Sequence, residues 1–174
     1  MFHIKKKIIV RLTILVQGND MIMTQSTYNN IKNTIGSIPP ENGGIIGIKD
    51  GIVCAFFYDS FADNSENEYH PCVYKLNEII DEWSQLGISF CGIIHSHHND
   101  AELLSRKDIV FARRILALNN LNNGTVFFPI VHIYSENIFF TIKPFIVSAE
   151  EVVLDNLIIK KDHHDTCKYI PEGI

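Results

Sequence analysis

Between Ile88 and Ser96 the chain is apolar at Phe90, Cys91, Ile93 and Ile94 and leaves few polar side chains. A short run of this kind reads as a β-strand buried on both faces, because a half-exposed strand alternates polar and apolar residues. A strand covered on both faces lies inside a sheet with helices above and below it. This segment therefore sets the expected fold class: one α/β domain on a central mixed sheet flanked by helices. It also delivers His95 and His97, which lie two apart and so point to one face of the strand.

The flanking sequence supplies the neighbours such a strand needs. Met21-Ile22-Met23 reads as a short strand. A helix capped by Thr24 or Ser26 then runs to about Ile35, with Tyr28, Ile31 and Ile35 at helical spacing and Gly36 at its stop. Pro39 and Pro40 force an extended entry into Glu41. Gly43 to Ile48 and Ile52 to Tyr58 form a hairpin across the turn Lys49-Asp50-Gly51. Asp59 to His70 is a polar loop, and Pro71 opens a second helix. Its apolar stripe of Val73, Leu76, Ile79, Ile80 and Trp83 ends at Gly87. Beyond the central strand, a third helix starts near Ser105 and breaks over Asn119 to Gly124. Val126 to Tyr134 and Asn137 to Val147 read as two final strands, and Ala149 to Leu157 as a terminal helix. No repeat or low-complexity linker divides the chain. The expected organisation is an N-terminal extension over 1–20, a main domain over 21–147, and a C-terminal helix and tail over 148–174.

A chain of 174 residues can bury a sizeable core without staples. The formal net charge is −5 and no basic run exceeds Lys5-Lys6-Lys7, which argues against a nucleic-acid partner, since phosphate binding shows a clustered Lys/Arg footprint. Cys54, Cys72, Cys91 and Cys167 have no C-x-x-C spacing and read as small buried hydrophobes in a reducing, cytoplasmic setting. The apolar stretch over 8–16 is interrupted by Arg11 and Thr13, is too short to span a membrane, and precedes no small-x-small cleavage site. Neither a membrane association nor a secretion signal is expected from it.

The chemistry lies in H-x-H-x₇-S-x₂-D, formed by His95, His97, Ser105 and Asp108. Two imidazoles on one strand face can grip one ion together, and an Asp from the following element can supply a third, oxygen ligand. Three protein ligands leave a zinc site open to water, as in catalytic centres, whereas structural sites are closed by four. The same residues carry a plainer meaning. Ser105-Arg106-Lys107-Asp108 at a helix start is also a capping box with Asp in place of Glu. Capping is compatible with a site role for Ser105 but competes for the Asp108 carboxylate.

Upstream, Pro40-Glu41-Asn42-Gly43-Gly44-Ile45-Ile46-Gly47 resembles the E-x-G-G-[ILV]-[ILV]-G segment of prokaryotic JAMM (MPN-type, JAB-domain) zinc metalloproteases. His95-Ser96-His97, Ser105 and Asp108 resemble the rest of that signature in the same order, over roughly 21–147, which implies that family's curved sheet in αβα layers. The resemblance implies that His95, His97 and Asp108 bind one Zn²⁺ per chain, that Glu41 is the general base, and that Ser105 donates a hydrogen bond near the reacting carbonyl. It implies a peptidase or isopeptidase that cuts after the C-terminal Gly-Gly of a ubiquitin-like or sulfur-carrier protein. Activating (E1-like) and conjugating (E2-like) enzymes would be its pathway neighbours. In isolation Glu41 after two prolines is a solvated loop residue; Gly43-Gly44 and the paired histidines give it a role.

The departures also inform. Many members of that family carry Pro after the second histidine, and this chain has His98. The segment from His98 to Leu104 lacks the Cys and Trp common in eukaryotic deubiquitinases of the family. The connection from Asn119 to Thr125 is short, which leaves little room for a substrate-gripping insertion and argues against linkage-selective cleavage of ubiquitin chains. Asp162, His163, His164, Asp165 and Cys167 form a second metal-like cluster whose spacing matches no closed zinc site, so it reads as a charged tail. Two alternatives stay open: a non-catalytic scaffold of the same fold, and a DNA-repair-associated relative with a similar histidine signature.

Overall fold

The computed structural model describes residues 20–35, 41–65, 68–97, 101–119, 124–134 and 139–162. The chain begins there with β1 (Asp20–Thr24) and α1 (Gln25–Thr34), then the hairpin β2 (Gly43–Lys49) and β3 (Ile52–Tyr58). Next come α2 (Val73–Gln85), β4 (Ser89–His97) and α3 (Arg106–Leu118). The remaining strands are β5 (Thr125–Phe127), β6 (Ile130–Tyr134), β7 (Phe139–Lys143), β8 (Phe145–Ser148), β9 (Val152–Leu154) and β10 (Asn156–Lys160). All ten join one mixed sheet in the order β10-β1-β3-β2-β4-β5-β8-β9, with β6 pairing β4 and β7 off this path. The expected single α/β domain with a curved mixed sheet is what is found.

As its sequence requires, β4 is interior. It runs antiparallel to β2 along one edge and parallel to β5 and β6 along the other. Its side chains from Phe90 to His97 are all buried. On one face α2 and α3 cover Phe90 and Ile93 with Leu76, Ile79, Trp83, Ala112 and Ile115. On the other, α1 brings Ile31 and Ile35 against Cys91, Ile94, Val53 and Phe56. The hairpin turn takes left-handed backbone at Asp50 (φ 51) and Gly51 (φ 78), as a tight two-residue connection between twisted strands needs. Thr24, of the two candidates, caps α1, accepting the Thr27 N–H at 3.2 Å.

Two expected strands are each broken in two. Phe128-Pro129 separates β5 from β6, and Pro144 separates β7 from β8. Proline has no N–H to give to a ladder, so it falls where pairing stops. At the first break the sheet forks. β5 follows β4 only at Gly92 and leads to β8, while β6 follows the end of β4 and leads to β7.

The helix expected over Ala149–Leu157 is replaced by β9 and β10. The Ser148 hydroxyl accepts the N–H groups of Glu150 and Glu151, and the Ser148 N–H donates to the Glu151 carbonyl at 2.9 Å, which closes a turn and starts no helix. Beyond it, β10 pairs in parallel with β1 from Asp20↔Asn156 to Thr24↔Lys160. Branched Val152, Val153, Ile158 and Ile159 suit that pleat better than a helix. Asp162, from the C-terminal metal-like cluster, accepts a 2.6 Å hydrogen bond from the Ser26 hydroxyl and one from the Ser26 N–H at the start of α1. His163, His164, Asp165 and Cys167 lie outside the described residues, as do 1–19, Gly36, Pro39, Pro40 and His98.

Candidate metal centre

His95 and His97 close β4 at the sheet's fork, and both are buried with their rings on the α3 side. Their Nε2 atoms are 2.8 Å apart. The first turn of α3 carries Asp108 to them, with Oδ1 3.4 Å from His95 Nε2 and Oδ2 3.4 Å from His97 Nε2. One ligand atom from each of the three residues lies within 4.8 Å of the others, and among the described residues this is the one such group of His, Cys, Asp or Glu.

Capping and convergence turn out to share the Asp108 carboxylate. Ser105 is the N-cap of α3: its hydroxyl accepts the Asp108 N–H at 3.2 Å, and Asp108 Oδ2 accepts the Ser105 N–H at 2.7 Å. The complete capping box fixes the carboxylate in place and leaves Oδ1 for His95. The Ser105 hydroxyl accepts in this bond, so its own proton remains available to donate into the site.

Glu41 reaches the site through backbone geometry. The strand entry is stapled to β4: the Asn42 N–H donates to Ser96 Oγ at 3.1 Å, and the Ser96 N–H donates to the Asn42 carbonyl at 2.8 Å. A β-carbon on Gly43 would stand 2.4 Å from the Ile94 carbonyl oxygen and 2.9 Å from the His95 β-carbon. Only glycine lets β2 lie this close to the histidine strand, which explains why Gly43 follows so soon after Glu41. Glu41, His97, Ser105 and Asp108 then line one cavity of about 790 Å³. Its walls are the loop around Tyr69, His70 and Pro71 on one side and the start of α3 on the other. A Glu68–Lys107 ion pair joins these two walls.

The electrostatics follow from burial opposed by pairing. Burial holds the His95 imidazole below its ordinary value, against the pull of Asp108. His97 is also buried, but its hydrogen bond to Asp108 and the charges of Asp108 and Glu41 raise it overall. Burial pushes Asp108 up, yet hydrogen bonds from both histidines and Ser105 leave it far below the usual carboxylate range. Glu41 is raised, chiefly by burial, with His97 opposing and Asp108 adding.

These residues fit a cation. His97 Nδ1 is 3.1 Å from the Ala101 carbonyl, which only accepts, so Nδ1 carries a proton; once a cation replaces the proton shared with Asp108, Nε2 turns a lone pair inward. That lone pair meets a second imidazole nitrogen and an acceptor-only carboxylate, a convergence that needs positive charge at its centre. Ligand atoms that lie within 4.8 Å of one another, one from each residue, can converge on one ion with bonds of about 2.0–2.2 Å, the lengths zinc takes with nitrogen and oxygen.

Three contributors escaped the reading of the sequence. Tyr69 stacks near-parallel to the His95 ring, with 6.4 Å between centroids. Asp59, buried at the end of β3, accepts the Tyr69 hydroxyl at 3.0 Å. His132, also buried, pairs in register with His97 on the neighbouring parallel strand. None carries a local signal, because each meets the site through pairing or loop closure across long sequence separations.

No protein-family model matches the sequence, and no curated protein matches it. Among solved structures, protein DSY2949 from Desulfitobacterium hafniense, determined in solution, is similar over 83% of this chain and 95% of its own, at 17% identity and a TM-score of 0.65. AF2198, a JAB1/MPN domain protein from Archaeoglobus fulgidus, aligns over 81% of this chain and 100% of its own, at 15% identity and a TM-score of 0.48. The first likeness bears on the fold alone.

Proposed function

We propose that this chain is a zinc-dependent peptidase or isopeptidase of the JAMM type. The observation that carries the reading is the meeting of His95 Nε2, His97 Nε2 and the Asp108 carboxylate at a cavity that Glu41 and Ser105 also line. His95, His97 and Asp108 would hold the ion. Bound there, zinc supplies a Lewis acid that polarises an amide carbonyl and brings the pKa of water to about 7.

The chain's own groups do the rest. Glu41, raised by burial, is the base that takes a proton from the attacking water and delivers it to the departing amine nitrogen. That delivery is required, since an amine leaves poorly without a proton. The Ser105 hydroxyl donates toward the carbonyl oxygen as it gains charge, stabilising what exists only in the transition state. His95 and His97 are buried, while the Asp108 side chain stays partly exposed, where water can reach the site.

The substrate we propose is a ubiquitin-like or sulfur-carrier protein, cut after its C-terminal Gly-Gly, with activating and conjugating enzymes in the same pathway. A partly enclosed site whose histidines are buried suits a tail without side chains, because glycine lets backbone pass close to buried groups. We place the reaction in the cytoplasm, in keeping with Cys54, Cys72 and Cys91, which form no disulfide among the described residues. Among the described residues no helix is long and apolar enough to cross a membrane.

The test is to incubate the zinc-loaded full chain with such a carrier bearing residues beyond Gly-Gly and to follow its mass. Loss of those residues, blocked by chelator and by Glu41→Gln, is the expected result. An intact carrier at high concentrations of zinc-loaded protein overturns the reading, and binding without cleavage turns it into a scaffold.

A further inference from the structure

Resting on the metal-site reading above, we infer that Tyr69, tethered by Asp59, is the positioning residue for His95. A histidine that holds a metal through one ring nitrogen is ordinarily oriented by a hydrogen bond at the other. His97 has that bond, from Nδ1 to the Ala101 carbonyl. His95 does not: its Nδ1 is buried, and no group among the described residues hydrogen-bonds to it. Its ring plane is set by packing instead.

Among the described residues three rings do that packing. Phe128 meets the His95 ring at 68° with 5.4 Å between centroids, and His97 at 71° with 4.7 Å. Tyr69 lies at 18° to it with 6.4 Å between centroids. Phe128 follows directly on β5 and His97 ends β4, so their backbones are fixed by the sheet. Tyr69 belongs to the loop between β3 and α2, where a ring has freedom to swing unless it is tied.

Asp59 ties it. Its Oδ2 accepts the Tyr69 hydroxyl at 3.0 Å and the Cys72 N–H at 2.7 Å, and its Oδ1 accepts the Phe61 N–H at 3.2 Å. A carboxylate bonded three times and only 1% exposed is a rigid anchor. Its own N–H donates to the Gly43 carbonyl at 2.9 Å, and Gly43 pairs with His95 across β2 and β4. The path from Asp59 through Tyr69 to His95 thus closes on the same strand pair that carries the histidine. It supports the imidazole on the Nδ1 side, where no group among the described residues hydrogen-bonds.

The experiment compares the full-length wild type with Tyr69→Phe, which deletes one oxygen, and Tyr69→Leu, which deletes the aromatic face. Folding of each is checked by circular dichroism and Trp83 fluorescence. In metal-free protein, NMR resonances of the His95 ring should shift and broaden in both variants, while those of His97, held by Ala101, stay in place. Zinc affinity, from chelator competition, should fall about 10- to 100-fold in Tyr69→Leu, the usual effect of losing a ligand's support, and by a smaller factor in Tyr69→Phe. Folded variants with unchanged His95 resonances and unchanged zinc affinity overturn the inference. A wild type that binds no zinc defeats the metal reading instead, and the His95 resonances then decide alone whether Tyr69 sets the ring.

Discussion

Asp108 and Ser105 hold each other across the first turn of α3: the serine hydroxyl takes the aspartate N–H at 3.2 Å, and the aspartate Oδ2 takes the serine N–H at 2.7 Å. The half of this exchange that aims the carboxylate uses the backbone of residue 105, and the half that stabilises the helix end uses its side chain. Replacing the side chain therefore separates the two.

Ser105→Ala should lose about 1 kcal/mol of stability, the usual worth of an N-cap hydroxyl, while keeping zinc. Turnover should fall about 10²–10³-fold, as when a transition-state donor is removed. Urea denaturation, metal content and kinetics on one preparation check all three. Loss of zinc in this variant would mean that the hydroxyl, and not the N–H, sets the carboxylate.

Glu41→Gln should keep both the fold and the zinc while turnover drops by roughly 10²–10⁴-fold, the range for a positioned general base. Glutamine preserves the size of the side chain at the cavity wall and cannot accept the proton. If metal is lost with it, Glu41 belongs to the ligand set.

The sites of legibility and of failure have physical causes. His95, His97, Ser105 and Asp108 could be read because strand and helix periodicity turn short spacings into shared faces; Gly43 stood out only beside Glu41, and its close approach to β4 was not read. The central β4 could be read from its apolar run alone. Pro129 and Pro144 were visible but their effect was not, because a proline splits a strand only where its missing N–H would have faced a partner strand. The last two strands were hidden by Glu150 and Glu151, which look like a helix start, while β10 depends on the far end of the chain, where Asp20 begins β1. Tyr69 and Asp59 have no local pattern at all.

Gly43→Ala should destabilise the protein by about 1–3 kcal/mol, the cost of forcing an atom into a packed interior. The new β-carbon meets the Ile94 carbonyl at 2.4 Å and can be relieved only by parting β2 from β4. Because that parting also moves Glu41, turnover should fall by more than the stability loss explains at temperatures where the variant is folded. A variant as stable and as active as the wild type contradicts the close approach.

The Tyr69 phenol is held well above its ordinary value by burial, with the Asp59 charge and hydrogen bond adding to it. A folded-state value raised above the unfolded one, about 10, means that this contribution is complete below about pH 10 and is lost as pH rises through the folded value. Denaturation midpoints taken between about pH 9 and 11 should decline more steeply in the wild type than in Tyr69→Phe. Equal slopes would place the hydroxyl outside that buried pair.

The central claim is that His95, His97 and Asp108 hold one metal ion, and the most direct measurement is zinc per chain after mild dialysis, for the wild type and for Asp108→Asn. Asparagine can still accept the Ser105 N–H and keep part of the cap, but is a poor zinc ligand. The account expects close to one zinc per folded wild-type chain and a large loss of it in the folded variant. A folded wild type that neither retains nor takes up zinc, or an Asp108→Asn protein that keeps its full complement, would contradict it.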